Sequence, residues 1–155
     1  MSWSRARGIC EAASGYLVSI DSAAEDQYVD SHPSFTYSVW IGANDLQTEG
    51  QWYFANSAGL SGGTHLWSGD ETGSALGGAF TDWGTAEPNP ADDDSSVDCA
   101  FIYKVTLAWR ANGCEFDGAF VCEWRGHQGT AMNRGVSFTP SDDNGRPSLT
   151  FQAGP

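Results

Sequence analysis

The sequence predicts an α+β domain, and three observations carry that prediction. Apolar residues recur at helical spacing near the N-terminus, where Trp3, Ala6 and Cys10 fall on one face. Short runs rich in aromatic and β-branched residues follow, separated by glycine-rich stretches. Four cysteines, at positions 10, 99, 114 and 122, lie in the terminal parts of this pattern. Helices at one end of a chain followed by short strands are typical of α+β folds.

Two helices are expected at the start of the chain. The first covers residues 3–14 and stops at Gly15, after which residues 16–20 form a strand. The second follows Ser22, because serine at the N-cap and Glu25 at the third helical position make a capping box. We expect it to extend to about Ser31 and to end before Pro33, since the residue preceding a proline avoids helical geometry.

Short strands are expected after the helices, at residues 38–43, 51–55, 99–105 and 119–124. Residues 56–97, which we call the long loop, are rich in Gly, Ser, Asp and Trp. A loop of this length is usually functional or disordered. Its aromatic residues Trp67, Phe80 and Trp83 favour a packed loop, and we expect them to form loop core more readily than sugar platforms. Residues 125–155 form either a hairpin, by pairing 136–139 with 148–151, or a linker.

Charge excludes some classes of partner. Asp and Glu number 20 against 7 Lys and Arg, and the formal net charge is −13. A surface of this sign repels phosphate backbones, so nucleic acid is not an expected partner. No apolar run is long enough to cross a bilayer, so membrane insertion is not expected. The acidity itself has two interpretations, which are solubility and the attraction of divalent cations.

Cysteine usage indicates where the protein works. An even number of cysteines, 4 in this chain, is typical of an oxidising extracellular or cell-surface environment. No C-x-x-C pair supports a zinc ribbon, and the four residues allow three pairings. No signal peptide is visible, so we expect either an excised module or a mature form that carries an initiator Met, with the export signal outside this sequence. We further expect the chain to be a module of a larger secreted or surface protein.

Catalytic motifs are missing from the sequence. His32, His65 and His127 are far apart, and none belongs to a paired ligand motif. There is also no nucleophile elbow and no phosphate-binding glycine loop. We therefore expect a binding module and not an enzyme.

A series of short motifs in residues 3–124 resembles the C-type lectin-like domain family. In chain order the matching segments are Trp3-x-x-Ala6-x-x-x-Cys10, Gly15-x-Leu17-x-x-Ile20, Trp40-Ile41-Gly42-Ala43, Glu49-Gly50-Gln51-Trp52, Glu87-Pro88-Asn89, Asp98-Cys99, residues 109–114 and Phe120-Val121-Cys122-Glu123. Each motif is weak alone, but the ordered series is specific. The resemblance implies a domain over 1–124 with two helices, two small antiparallel sheets and a long irregular loop. It also implies disulfides Cys10–Cys122 and Cys99–Cys114, and leaves 125–155 as a C-terminal extension.

The resemblance further implies an auxiliary Ca²⁺ site formed by Asp45, Glu49 and Asp98. Calcium takes roughly six to eight oxygen ligands from carboxylates, carbonyls and water. Carboxylates that lie close together repel one another unless a cation compensates. The alternative is a hairpin whose acidic side chains are simply solvated.

A principal site is implied by Glu87-Pro88-Asn89, which is similar to the family's E-P-N motif. The family has a cis bond before this proline, an arrangement that aims both flanking side-chain carbonyl groups at one ion. Vicinal sugar hydroxyls then complete the calcium shell and hydrogen-bond to the same side chains. E-P-N sites of the family favour mannose- and glucose-type hydroxyl arrangements.

The sequence departs from the family pattern after Trp109. The family continues with Asn and Asp ligands, whereas this chain has Arg110, which cannot ligate calcium, and Ala111, which has no ligand atom. Three acids of the extended segment before Cys99 are the candidate replacements. We assign Asp94 to the metal shell and place Asp92 and Asp93, with Arg110, on the ligand-binding surface, the alternative being a solvated acidic loop.

Arg110 itself has three interpretations. It pairs with Glu87 or Asp94 in place of calcium, it binds an anionic ligand, or it lies on the surface without a role.

Two functions from different classes follow. The first is a calcium-dependent carbohydrate-binding lectin module, acting in adhesion, whose partner is an extracellular glycan or glycoprotein. The second is a lectin-like scaffold that binds a protein or an inorganic surface without sugar, with calcium structural or absent.

Overall fold

The computed structural model describes residues 1–31, 38–89 and 96–124, together with two backbone strands at 133–140 and 147–149. Its elements are α1 (Trp3–Ala12), β1 (Tyr16–Leu17), α2 (Ala23–Ser31), β2 (Val39–Asn44), β3 (Gln51–Phe54), β4 (His65–Ser68), β5 (Ser74–Ala75), β6 (Cys99–Tyr103), β7 (Ala108–Asn112), β8 (Ala119–Trp124), β9 (Asn133–Pro140) and β10 (Pro147–Leu149). The predicted α+β class is confirmed. None of the helices in the described residues is long and apolar enough to cross a membrane.

Both predicted helices form. Helix α1 buries Trp3, Ala6 and Cys10, the residues whose spacing predicted it. Helix α2 starts after Ser22, whose side-chain oxygen accepts a hydrogen bond of 3.3 Å from the Glu25 amide. The carboxylate of Glu25 reaches back to the amide of Asp21, one residue earlier than the standard capping box requires.

The sheet differs from the two separate antiparallel sheets implied by the resemblance. Strand β2 runs parallel to β8, pairing Val39 with Ala119, and antiparallel to β6, pairing Val39 with Ile102. Its other end pairs with β3 through Ala43 and Phe54. Because β2 bonds to all three neighbours and its register shifts between Trp40 and Asn44, the strands join into one mixed sheet.

Both disulfides implied by the resemblance are present. Cys10–Cys122 ties α1 to β8, and Cys99–Cys114 ties the start of β6 to the segment after β7. No cysteine is free. The bridges lie beside an apolar cluster that includes Trp40, and a second cluster, centred on Trp109, lies beneath the long loop.

The described part of the long loop is packed, as its aromatic content predicted. Trp67, Phe80 and Trp83 are partly buried against the core cluster that contains Trp109. Two strands that the sequence did not predict, β4 and β5, lie within it, and β4 pairs with β3. These strands are only four and two residues long, too short for the alternation that identifies a strand.

Beyond residue 124, strand β9 pairs antiparallel with β8, and β10 pairs antiparallel with β9. Thr139 lies opposite Ser148, and Phe138 opposite Leu149, so the segments of the expected hairpin are paired. The domain boundary at 124 stays a prediction.

Candidate functional site

The two sets of predicted ligands lie at one end of the central strands. Asn44 at the end of β2 is opposite Cys99 at the start of β6, and Cys99 is opposite Asn112 at the end of β7. Asp45 follows the first of these residues and Asp98 precedes the second. The register therefore brings Asp45 and Asp98 to the same end of the central strands as Ala111, whose amide binds Glu87.

Among the predicted ligands that the structure describes, Asp45 is the most buried, with 3% of its surface exposed. Its Oδ2 accepts a hydrogen bond of 2.8 Å from the amide of Gly50, and its own amide donates to the carbonyl of Asp98 at 3.1 Å. Its Oδ1 is buried and has no hydrogen-bond partner among the described residues. Leaving an oxygen of a buried carboxylate unpaired is costly, so a proton, a water molecule or a cation would each stabilise this atom.

The electrostatics of Asp45 show which acids surround it. Burial, together with the nearby charges of Glu49 and Asp98, raises its pKa from 3.8 to about 7, although the hydrogen bond from the Gly50 amide opposes this rise. The three predicted auxiliary ligands are thus electrostatically coupled. Across the described residues, however, no group of three His, Cys, Asp or Glu side chains is arranged to hold a metal ion. Closing a shell on calcium would therefore require movement of these side chains.

Glu87 forms the second candidate site. Burial raises its pKa, and hydrogen bonds from the amides of Ala111 and Asn89, both to Oε2, oppose that rise. The Glu87–Pro88 bond is cis, as the resemblance implied. Pro88 is buried and Asn89 is exposed, so the E-P-N segment is anchored at its proline and open to solvent at its amide.

The Glu87 segment is attached to β7 by backbone bonds. The amide of Trp109 donates to the carbonyl of Asp82 at 2.8 Å, and the amide of Gly84 donates to the carbonyl of Trp109 at 2.9 Å. Glu87 then donates its amide to the carbonyl of Gly84 at 3.1 Å. These backbone hydrogen bonds, which we call the ladder, place the Glu87 carboxylate beside the amide of Ala111.

Arg110 lies beside this carboxylate without forming an ion pair with it in the described part of the chain. Its guanidinium carbon is 4.4 Å from the centroid of the Tyr103 ring, a cation–π contact. Its positive charge lowers the pKa of Glu87, as the weakest of the influences on that group. The direct Arg110–Glu87 pair is therefore not observed. Asp94, the other expected partner of Arg110, lies outside the described residues.

Asp92, Asp93 and Asp94 lie outside the described residues. Their assignments as metal or ligand contacts stay predictions.

The sequence analysis missed the backbone donors of the site. The amides of Gly50 and Ala111 hold Asp45 and Glu87, but a backbone amide has no sequence signature. It also missed Tyr103, which supports Arg110. A weak signal existed for this pair, because strands β6 and β7 form a hairpin in which the two side chains can meet.

Comparison with known proteins identifies the family. The family model of the lectin C-type domain matches residues 1–124, and the chain belongs to this family. Halomucin of Haloquadratum walsbyi is 32% identical over 142 residues, which cover 90% of this chain and 1% of that protein. Hepatic lectin of Gallus gallus is 29% identical over 123 residues, covering 79% of this chain and 50% of that protein. The chain thus spans half or less of these relatives.

Solved structures share the fold. The mouse scavenger receptor C-type lectin carbohydrate-recognition domain has a TM-score of 0.59 and 24% identity, covering 78% of this chain and 80% of that chain. A calcium-independent type II antifreeze protein has a TM-score of 0.58 and 24% identity, covering 79% and 77%. C-type lectin domains are non-enzymatic binding modules, so the family confirms that this domain is not an enzyme.

Proposed function

We propose that this domain binds carbohydrate through calcium at Glu87 and Asn89. The observation that carries the proposal is the placement of these residues, which anchors the segment at the buried Pro88 and leaves Asn89 exposed beside the Glu87 carboxylate. Both backbone hydrogen bonds to Glu87 reach Oε2, so Oε1 carries neither of them. A carboxylate and an amide oxygen are ligands that calcium prefers, and they also hydrogen-bond sugar hydroxyls.

The auxiliary site supports a role for calcium. The unpaired Oδ1 of Asp45, close to the charges of Glu49 and Asp98, has the chemistry of a cation ligand. When bound, calcium would compensate these charges and stiffen the turn between β2 and β3. The two sites lie at the same end of the central strands.

The principal site is incomplete by the family's standard, since Arg110 and Ala111 supply no calcium ligand from their side chains. In this proposal, Asp94 completes the shell and Asp92 and Asp93 contact the ligand. The sugars expected from the E-P-N motif are of mannose or glucose type.

A second candidate function is binding of a protein or an inorganic surface without sugar. The observation that favours it is the position of Arg110, held against Tyr103 where the family has a ligand. One solved neighbour, described as calcium-independent, shows that the fold does not require the ion.

We also propose that the domain works outside the cell or on its surface, as a module of a larger adhesive protein whose partner is a glycan or glycoprotein. The two disulfides support an oxidising compartment. The small share of Halomucin that the chain covers supports a modular context.

Calcium titration followed by thermal melting tests the proposal, and a glycan array with and without chelator completes it. Binding to the folded state alone raises the melting midpoint. We expect Glu87→Gln to abolish calcium-dependent glycan binding, whereas Glu71→Gln, at an exposed position of the long loop, should retain it. Glycan binding that persists in chelator would defeat the calcium mechanism. Absence of glycan binding, with a normal calcium shift, would favour the second candidate.

A further inference from the structure

Helix α2 contributes a buried carboxylate that contacts Trp109, two residues before Ala111, whose amide binds Glu87. Asp26 is 6% exposed, and its Oδ1 accepts a hydrogen bond of 2.7 Å from the indole Nε1 of Trp109. The two residues are 83 positions apart in the chain. Burying a carboxylate is unfavourable unless strong hydrogen bonds compensate, so the contact has a cost that ordinary core packing avoids.

Trp109 connects this carboxylate to the loop. Its side chain is 0% exposed and makes edge-to-face contacts with Phe54, Phe80 and Trp83, at centroid distances of 6.2, 5.9 and 5.7 Å. Its backbone holds Asp82 and Gly84 through both of its hydrogen-bonding groups. The same residue therefore contacts the rings through its indole and the loop through its backbone, so a shift of Trp109 as a whole would disturb both.

The ladder ends at the proposed ligand site. Gly84 accepts the amide of Glu87, and Glu87 accepts the amide of Ala111, two residues beyond Trp109. The contacts therefore run from Trp109 through Gly84 and Glu87 and return to Ala111, on the same strand β7. Asp26 is the one member of this chain of contacts that comes from α2.

We propose that Asp26 is a positioning residue for the Glu87 site, which it orders through the indole of Trp109 without contacting the ligand. The inference rests on the proposed function for its consequence on binding, and on the contacts above for its geometry.

Hydrogen exchange tests the positioning role without a ligand. Asp26→Leu removes the acceptor, whereas Asp26→Asn keeps an oxygen for the indole. Asp30→Asn removes the same charge one turn further along α2. We expect Asp26→Leu to accelerate exchange of the Ala111 and Gly84 amides by about tenfold or more, because a hydrogen bond to a charged group is lost.

The amide of Val18, which donates to the carbonyl of Val121 and takes no part in the ladder between Trp109 and Glu87, serves as the internal reference. We expect Asp26→Leu to leave its exchange within about threefold of the wild type, and the two asparagine variants to leave all of these amides within that range. Equal acceleration at Val18 and Ala111 would show a merely structural role and overturn the proposal. Loss of local protection in Asp26→Asn as large as that in Asp26→Leu would overturn it too.

A second measurement needs no variant at this position. The indole proton of Trp109 should change its chemical shift as Asp26 titrates near pH 6, in surroundings that include Asp30, Asp82 and Lys104. The indole of Trp3, which donates to the carbonyl of Ile41, is the matched control and should not change over this range. A Trp109 indole proton that is insensitive to pH would contradict the contact.

Binding measurements then connect the positioning role to function. If wild-type protein binds glycan, Asp26→Leu should weaken that binding by about tenfold or more and Asp26→Asn by less than about threefold. If the wild type binds no glycan while Ala111 still loses protection in Asp26→Leu, the proposed function fails and the positioning role stands. Unchanged affinity in a variant that has lost Ala111 protection would overturn the link to the site.

Discussion

The amide of Ala111 donates a hydrogen bond of 3.1 Å to Oε2 of Glu87, across 24 positions of sequence. At this position the resemblance places a carboxylate ligand, which alanine cannot supply. The backbone of Ala111 nevertheless orients Glu87. The carboxylate of the E-P-N segment is therefore held in place, although the carboxylate that the family has at position 111 is missing.

Glu87 should stabilise the domain as well as bind its ligand. Glu87→Ala leaves the amides of Ala111 and Asn89 without their acceptor, and we expect a loss of about 1–3 kcal/mol in the free energy of unfolding. Glu87→Gln keeps a side-chain oxygen and should cost less. Urea denaturation in chelator measures both, with the exposed Glu71→Ala as control. A Glu87→Ala variant as stable as the control would show that these bonds contribute nothing.

Restoring the family's ligand pair should strengthen calcium binding. The double variant Arg110→Asn and Ala111→Asp adds two oxygen ligands and removes a positive charge beside Glu87. We expect its calcium affinity to increase by about tenfold or more, measured by isothermal titration calorimetry. Arg110→Met, which removes the charge alone, is the matched control. If the double variant binds no more tightly than this control, the ions do not bind at Glu87.

The stability of the domain should depend on pH through Asp26. Burial raises its pKa from 3.8 to about 6, so the folded state binds this proton more tightly than the unfolded state. This difference in proton affinity contributes about 3 kcal/mol to the free energy of unfolding. The contribution is present at pH values below the unfolded-state pKa, near 4, and is lost as the pH rises through about 6.

The comparison of wild type with Asp26→Asn isolates this contribution from those of other acids. Between about pH 3 and 7, the free energy of unfolding should fall by about 3 kcal/mol more in the wild type than in the variant, and about 2 kcal/mol of this difference should appear between pH 4 and 6. Chemical denaturation at several pH values measures the difference. Parallel pH profiles would show that Asp26 titrates alike in both states.

Salt should stabilise the domain. A formal net charge of −13 favours expansion of the chain, and salt shortens the screening length from about 10 Å at 0.1 M to about 3 Å at 1 M. We expect the melting temperature to rise by several degrees over this range of salt concentration. This rise corresponds to an increase of about 1–2 kcal/mol in the free energy of unfolding.

Charge reversal at exposed sites is the control for this prediction. Glu71→Lys with Glu115→Lys changes the net charge by two units at each site, from −13 to about −9. The melting temperature of this variant should depend less on salt. The same salt dependence in both proteins would attribute the effect to something other than net charge.

The parts of the fold that depend on local signals were predictable. The capping box marked the start of α2, and the apolar spacing of Trp3, Ala6 and Cys10 marked α1. The disulfide pairing and the Glu87-Pro88-Asn89 segment followed from the resemblance. These features are predictable because each is specified by residue identity at a fixed spacing.

The long-range contacts of the site were not predictable in the same way. Asp26 follows the capping residue Glu25 in a helix with weak amphipathic character, and an aspartate there is expected to face solvent. Only the fold reveals that an indole 83 residues away meets it. The single mixed sheet was also missed, because pairing of β2 with β8 is a property of topology and not of either strand's sequence.

The most direct test of calcium-bridged sugar binding is a crystal of the domain soaked with calcium and a mannoside. We expect ion density in contact with the side chains of Glu87 and Asn89, with two vicinal sugar hydroxyls on the same ion. An ion bound beside Asp45 alone, with the guanidinium of Arg110 in the space next to Glu87, would contradict it.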